Sequence, residues 1–122
     1  MTTRAIIFLT TLIAVGFAAG CGSSSSSPTT PTTASADVTV NIVGDRGNQS
    51  YSPNPASMRV GQTVAWRNND TIVHNSTQDN GGFATGTINA GATSAPVSMM
   101  TAGTFTYHCT IHPGMVGTIS VQ

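Results

Sequence analysis

From Asp37 onward the apolar positions recur every second residue. Val38, Val40 and Ile42 alternate with Thr39 and Asn41, and Val64 and Trp66 alternate with Thr63, Ala65 and Arg67. Phe105, Tyr107 and Cys109 interleave with Thr104, Thr106 and His108, and Ile119 and Val121 with Thr118, Ser120 and Gln122. Successive side chains of a strand point to opposite faces, so each run predicts a half-buried strand. Turn residues punctuate the runs at Gly44 to Gly47, Pro53-Asn54-Pro55, Gly61, Asn68-Asn69-Asp70, Gly81-Gly82, Gly91, Gly103 and Gly114. Short strands at this spacing predict an all-β sandwich or small barrel over residues 37–122, with Trp66, Phe83, Phe105 and Tyr107 as its large core pieces.

The pattern before Asp37 is different. Arg4 and the free N-terminus are followed by an uncharged apolar run at residues 5–19, AIIFLTTLIAVGFAA. A permanent span needs about 20 apolar residues, so residues 1–20 are read as a secretory signal peptide. Ala18, Ala19 and Gly20 lead into Cys21, which resembles the bacterial lipoprotein signal whose Cys is lipidated and becomes the mature N-terminus. Ala18 stands where that signal prefers Leu. Cleavage by an ordinary signal peptidase and an uncleaved anchor are the alternatives. Residues 22–36, GSSSSSPTTPTTASA, have no apolar face whose burial would offset the entropy of ordering them. With Cys21 they predict a disordered Ser/Thr/Pro linker over residues 21–36, holding the domain on the order of 20 Å from its anchor. The expected location is therefore outside the cytoplasm, on the periplasmic or cell-surface side of a membrane, with contact to that membrane only through lipid at Cys21.

Composition narrows the class. The 122 residues carry four basic and four acidic side chains, all Arg and Asp, for a formal net charge of zero. No basic surface is available for nucleic acid or a strongly charged membrane. The absence of Lys and Glu removes two good helix formers, which excludes a helical bundle.

The chemistry lies near the C-terminus. Residues 107–117 read Tyr-His-Cys-Thr-Ile-His-Pro-Gly-Met-Val-Gly, which spaces Cys109, His112 and Met115 three apart in a turn-rich loop between two strands. A further histidine, His74, follows the strand that carries Trp66. One thiolate, two imidazoles and a thioether are the donor set of a blue-copper site. The residues alone leave alternatives open: a Cys21–Cys109 disulfide, a structural zinc, or Met115 as core filler. His108 is out of phase with Cys109 and is read as a solvent-facing strand histidine.

These residues, together with Tyr51-Ser52-Pro53, Val60 to Trp66, Asn68-Asn69-Asp70, His74-Asn75, Gly103 to Cys109 and Gly117-Thr118-Ile119, resemble a cupredoxin of the plastocyanin/pseudoazurin/amicyanin group over nearly all of residues 38–122. Two residues between His112 and Met115 match the short loop of amicyanin. The resemblance implies a Greek-key β-sandwich holding one copper ion at one end, with His74, Cys109, His112 and Met115 as ligands. It implies that Asn75 and Thr110 tie the two ligand-bearing loops together. It also implies that the His112 ring edge reaches the surface inside an apolar rim, for which Ile72, Val73, Pro113 and Gly114 are candidates. Val73 precedes the first His where relatives often have Pro, and Ile111 replaces a common Pro between Cys109 and His112. Proline lacks an N–H, so the Ile111 amide is expected to donate to the Cys109 sulfur and raise the reduction potential.

The function expected from this reading is one-electron transfer between redox partner proteins that dock transiently near His112. The protein is expected to be monomeric and not an enzyme, since three histidines with one copper centre to build leave nothing to bind a substrate. Copper delivery or scavenging without redox exchange is the competing reading.

Overall fold

The computed structural model describes residues 35–122. The leader, Cys21 and the linker up to residue 34 lie outside the described residues. Eight strands and one short helical turn follow in chain order. These are β1 (Val38–Ile42), a 3-10 turn (Gly47–Gln49), β2 (Tyr51–Ser52), β3 (Ala56–Met58), β4 (Thr63–Asn68), β5 (Thr77–Gln78), β6 (Val97–Ser98), β7 (Gly103–His108) and β8 (Val116–Val121). Among the described residues no helix is long and apolar enough to cross a membrane.

The strands form two mixed four-stranded sheets in the orders β2-β1-β4-β6 and β3-β8-β7-β5. This is the expected all-β sandwich. In β1 the alternation survives as burial: Val40 and Ile42 are fully buried while Thr39 is exposed. β1 runs parallel to β4, pairing Val38 with Val64 and Ile42 with Asn68. Both strands therefore advance toward the pole at which the chain enters the 69–76 loop. In the second sheet β7 and β8 are antiparallel, from Gly103 opposite Val121 to His108 opposite Val116. The loop joining them, 109–115, thus emerges beside His108. Because β5 pairs Thr77 with His108, the 69–76 loop reaches that same pole.

Aromatic rings fill the space between the sheets. Trp66 and Tyr107 are fully buried and meet edge to face, with ring centroids 5.4 Å apart. Tyr51 packs on Tyr107 at 4.8 Å, also edge to face, and Phe83 lies 5.1 Å from Trp66. Such pairs contribute about 0.5–1.5 kcal/mol each beyond the area they bury. Phe83 and Phe105 are only partly buried against this cluster, and the fully buried Tyr51 takes the central place instead. Tyr107 also sets a backbone requirement on the opposite strand. It pairs with Gly117, where an added Cβ would land on the Tyr107 ring.

At the pole remote from the 109–115 loop, Asp37 clasps the start of β4. Its carboxylate accepts the Thr63 N–H at 2.7 Å and the Thr63 hydroxyl at 2.8 Å. These hydrogen bonds hold the Asp37 carboxyl below its ordinary value of 3.8.

Candidate metal centre

Two loops build the centre, and each is fixed by its own hydrogen bonds. The first runs from Asn68 to Ser76. Asn68 is fully buried, and its amide donates to the carbonyls of Ile72 at 2.7 Å and Ile88 at 2.9 Å. Its Oδ1 accepts the Asp70 N–H at 2.9 Å. One buried side chain thereby satisfies three backbone groups of an irregular segment, groups that would be costly to bury unpaired. His74 is then held by a two-way bridge to Ile88, donating at 3.2 Å and accepting at 2.8 Å.

The second loop closes on itself. Met115 donates its N–H to the His112 carbonyl at 2.9 Å, and Cys109 donates its N–H to the Met115 carbonyl at 3.1 Å. Asn75 joins the two loops: its Oδ1 accepts the Thr110 N–H at 2.8 Å and its Nδ2 donates to Thr110 Oγ1 at 2.7 Å. The Tyr51 hydroxyl braces the joint from the core by donating to the Asn75 carbonyl at 2.9 Å. Burial raises the pKa of that phenol, so it stays protonated as a donor.

At the pole the Cys109 sulfur faces two imidazole nitrogens, His74 Nδ1 at 4.0 Å and His112 Nδ1 at 3.8 Å. The two rings lie 4.9 Å apart, centroid to centroid. The three donor atoms fall within 4.8 Å of one another, the one such cluster of His, Cys and acidic groups found among the described residues. A first-row ion bonded to sulfur at about 2.3 Å and to imidazole nitrogen at about 2.1 Å in one plane separates those donors by about 3.8 Å. The observed spacings therefore match one ion held between them. The donor types, one thiolate and two imidazoles, suit copper.

His74 and Cys109 are fully buried, whereas His112 is only partly so. Met115 is fully buried at the end of the same loop. Ile72, Val73, Ile111 and Val116 are exposed large apolar residues, and Pro113 and Gly114 are exposed between them in sequence. Cys109 carries a free thiol. The structure thus brings His74, Cys109 and His112 together and joins Asn75 to Thr110.

The backbone closures at 109–115 and 112–115 leave Ile111 at an exposed position of the loop. His108 points to solvent, as its phase implied, and its Nδ1 lies 2.6 Å from Asp79 Oδ1.

Asp70 was not among the expected site residues. Its Oδ2 lies 2.9 Å from His74 Nε2, the nitrogen remote from Cys109. The His74 ring and the Thr71 amide hold the Asp70 carboxyl below its ordinary value. An acidic residue four positions before a histidine was the available signal, but Asp70 sits in an Asn-Asn-Asp stretch that reads as a turn.

Comparison with known proteins agrees with this geometry. A family model for copper-binding proteins of the plastocyanin/azurin family matches residues 38–122. Plastocyanin of Scenedesmus fuscus is 35% identical over 98 residues, covering 70% of this chain and 100% of the relative. Amicyanin of Paracoccus denitrificans is 31% identical over 90 residues, covering 66% of this chain and 65% of the relative. The solved structure of a purple cupredoxin from Nitrosopumilus maritimus superposes with a TM-score of 0.61 at 30% identity, covering 70% of this chain and 100% of that one. With a sandwich of this form and a His, Cys, His cluster that fits one copper ion, the chain belongs to the plastocyanin/azurin family of copper-binding proteins.

Proposed function

We propose that this protein is a type 1 copper electron carrier, exported from the cytoplasm, with His74, Cys109, His112 and Met115 as ligands to a single copper ion. The observation that carries the reading is the convergence of Cys109 Sγ with two Nδ1 atoms in a centre buried on the His74 side and partly open at His112. Bound copper supplies a one-electron couple whose two oxidation states are balanced by thiolate, imidazole and thioether donors.

The chain's own residues supply rigidity and access. The Asn75–Thr110 pair, the Asn68 network and the loop closures keep the donors from rearranging when the charge at the centre changes. His112 provides the exposed edge. Ile72, Val73, Ile111, Pro113 and Gly114 give partners a small apolar surface around it, suited to encounters that must separate quickly. The third histidine, His108, pairs with Asp79 and does not join the centre. A lipidated Cys21, after removal of residues 1–20, would hold the monomeric domain at a membrane surface through the 21–36 linker. Asp37, at the start of the described domain, lies at the pole opposite the centre.

The test is the protein loaded with one equivalent of Cu(II). An intense visible thiolate-to-copper band and a reversible one-electron voltammogram support the carrier. Its colour places the site relative to the purple cupredoxin. Copper transfer to an acceptor without electron exchange would favour delivery instead, and a colourless product would remove the reading.

A further inference from the structure

The two imidazoles of the centre are supported differently. Among the described residues, the ring of His112 makes no hydrogen bond beyond its contact with the Cys109 sulfur. His74 has a carboxylate on its far side, Asp70 Oδ2, 2.9 Å from Nε2. His74 is fully buried there, and the Asp70 side chain keeps 23% of its surface exposed. An ionised carboxylate can only accept a hydrogen bond, so Nε2 carries the hydrogen. In a neutral ring the lone pair is then on Nδ1, the atom facing the Cys109 sulfur.

Asp70 is not free to turn away. Its Oδ1 accepts the Thr71 N–H at 2.7 Å, and its own N–H donates to the buried Asn68 at 2.9 Å. Its carboxylate also lies near Gly44, which adopts φ +117, where an added Cβ would meet Asp70 Oδ2 at 3.5 Å, an ordinary van der Waals contact. Glycine adopts this positive-φ backbone beside the carboxylate without strain.

We propose that Asp70 is a positioning residue for the metal: it locks His74 in the Nε2–H tautomer and, as a charged acceptor, makes Nδ1 a stronger donor. The proposal rests on the copper reading above. A carboxylate behind a ligating histidine fixes the ring and raises its basicity. Stronger nitrogen donation and a nearby negative charge both favour the divalent ion over the monovalent one. Asp70 therefore lowers the reduction potential.

The experiment has two arms. Nitrogen-15 NMR of the metal-free protein reads the His74 tautomer without copper. Voltammetry of the copper-loaded wild type, Asp70→Asn and Asp70→Ala reads the potential. The wild type is expected to show hydrogen on Nε2. Asp70→Asn, which keeps a neutral acceptor, should retain that tautomer and weaken Cu(II) relative to Cu(I) by about tenfold, which corresponds to a rise of about 59 mV. Asp70→Ala should raise the potential further and mix the tautomers. A purely architectural role would reduce stability and move neither readout.

Hydrogen on Nδ1 in the metal-free wild type, or potentials of the variants equal to wild type, overturns the proposal. If Asp70→Ala does not fold, the wild-type tautomer and the Asn variant decide. A protein that binds copper with its charge-transfer band intact but shows an unmoved potential discards Asp70 alone. Failure of the wild type to bind copper discards the copper reading, while the NMR still judges the His74–Asp70 pair.

Discussion

Asn75 and Thr110 bind each other twice, side-chain oxygen to backbone N–H at 2.8 Å and side-chain amide to hydroxyl at 2.7 Å, across 35 residues of sequence. Each loop alone is a short irregular segment, and the pair makes them one unit. Asn75→Ala removes both bonds and should destabilise the metal-free protein by about 1–2 kcal/mol. It should also weaken copper binding by about 10–100-fold, as loss of a ligand-orienting partner does. Chemical denaturation and competition titration measure the two effects. Unchanged copper affinity would mean that the donors are held by their own loops.

A close approach at Gly117 offers a second test. Any side chain there meets the Tyr107 ring, which lies between Tyr51 and Trp66. Gly117→Ala must displace Tyr107, at a cost of about 1–3 kcal/mol for an overpacked core. Because Tyr107 is two residues from Cys109, the visible band of the loaded protein should shift as well. Thermal denaturation and an absorption spectrum check both outcomes.

Docking through His112 is tested without knowing the partner, since electron self-exchange requires two copies to meet. Val73 is 40% exposed in the loop before His74. Val73→Asp should leave copper binding and colour intact. Two copies meeting at this face would oppose like charges, and self-exchange measured by NMR line broadening should slow by about tenfold or more. An unchanged rate would move the docking face elsewhere.

The Asp37–Thr63 clasp gives a pH dependence with a definite sign. Its hydrogen bonds lower the folded-state pKa of Asp37, so the unfolded chain binds the proton more readily. The stability it adds is present above its ordinary value of 3.8 and is lost as pH falls through the lower folded value. Asp37→Asn should be less stable than wild type near neutrality, and the two melting temperatures should converge in acid. A gap that persists in acid below the folded value would assign the effect to packing.

Much of this protein is legible in short stretches of the chain. The long strands β1, β4, β7 and β8 show in the alternation, because a strand's two faces are written in consecutive residues. The Cys109, His112, Met115 spacing is likewise local, since one tight loop holds all three. The strands of two or three residues, β2, β3, β5 and β6, are too short to display a period. Tyr51, in the two-residue β2, consequently showed no sign of its place in the core.

What lies beyond local pattern is the meeting of distant segments. Parallel pairing of β1 with β4 and the register of β5 on β7 bring His74 to Cys109, and no run of neighbouring residues encodes that distance. The role of Asp70 also depends on packing, because a carboxylate four residues before a histidine reaches its ring only when the intervening turn is folded as the buried Asn68 amide folds it. Donor types are a property of residues and were evident from the chain; the direction in which each donor points is a property of contacts made across the sandwich, which form only when the two sheets pack.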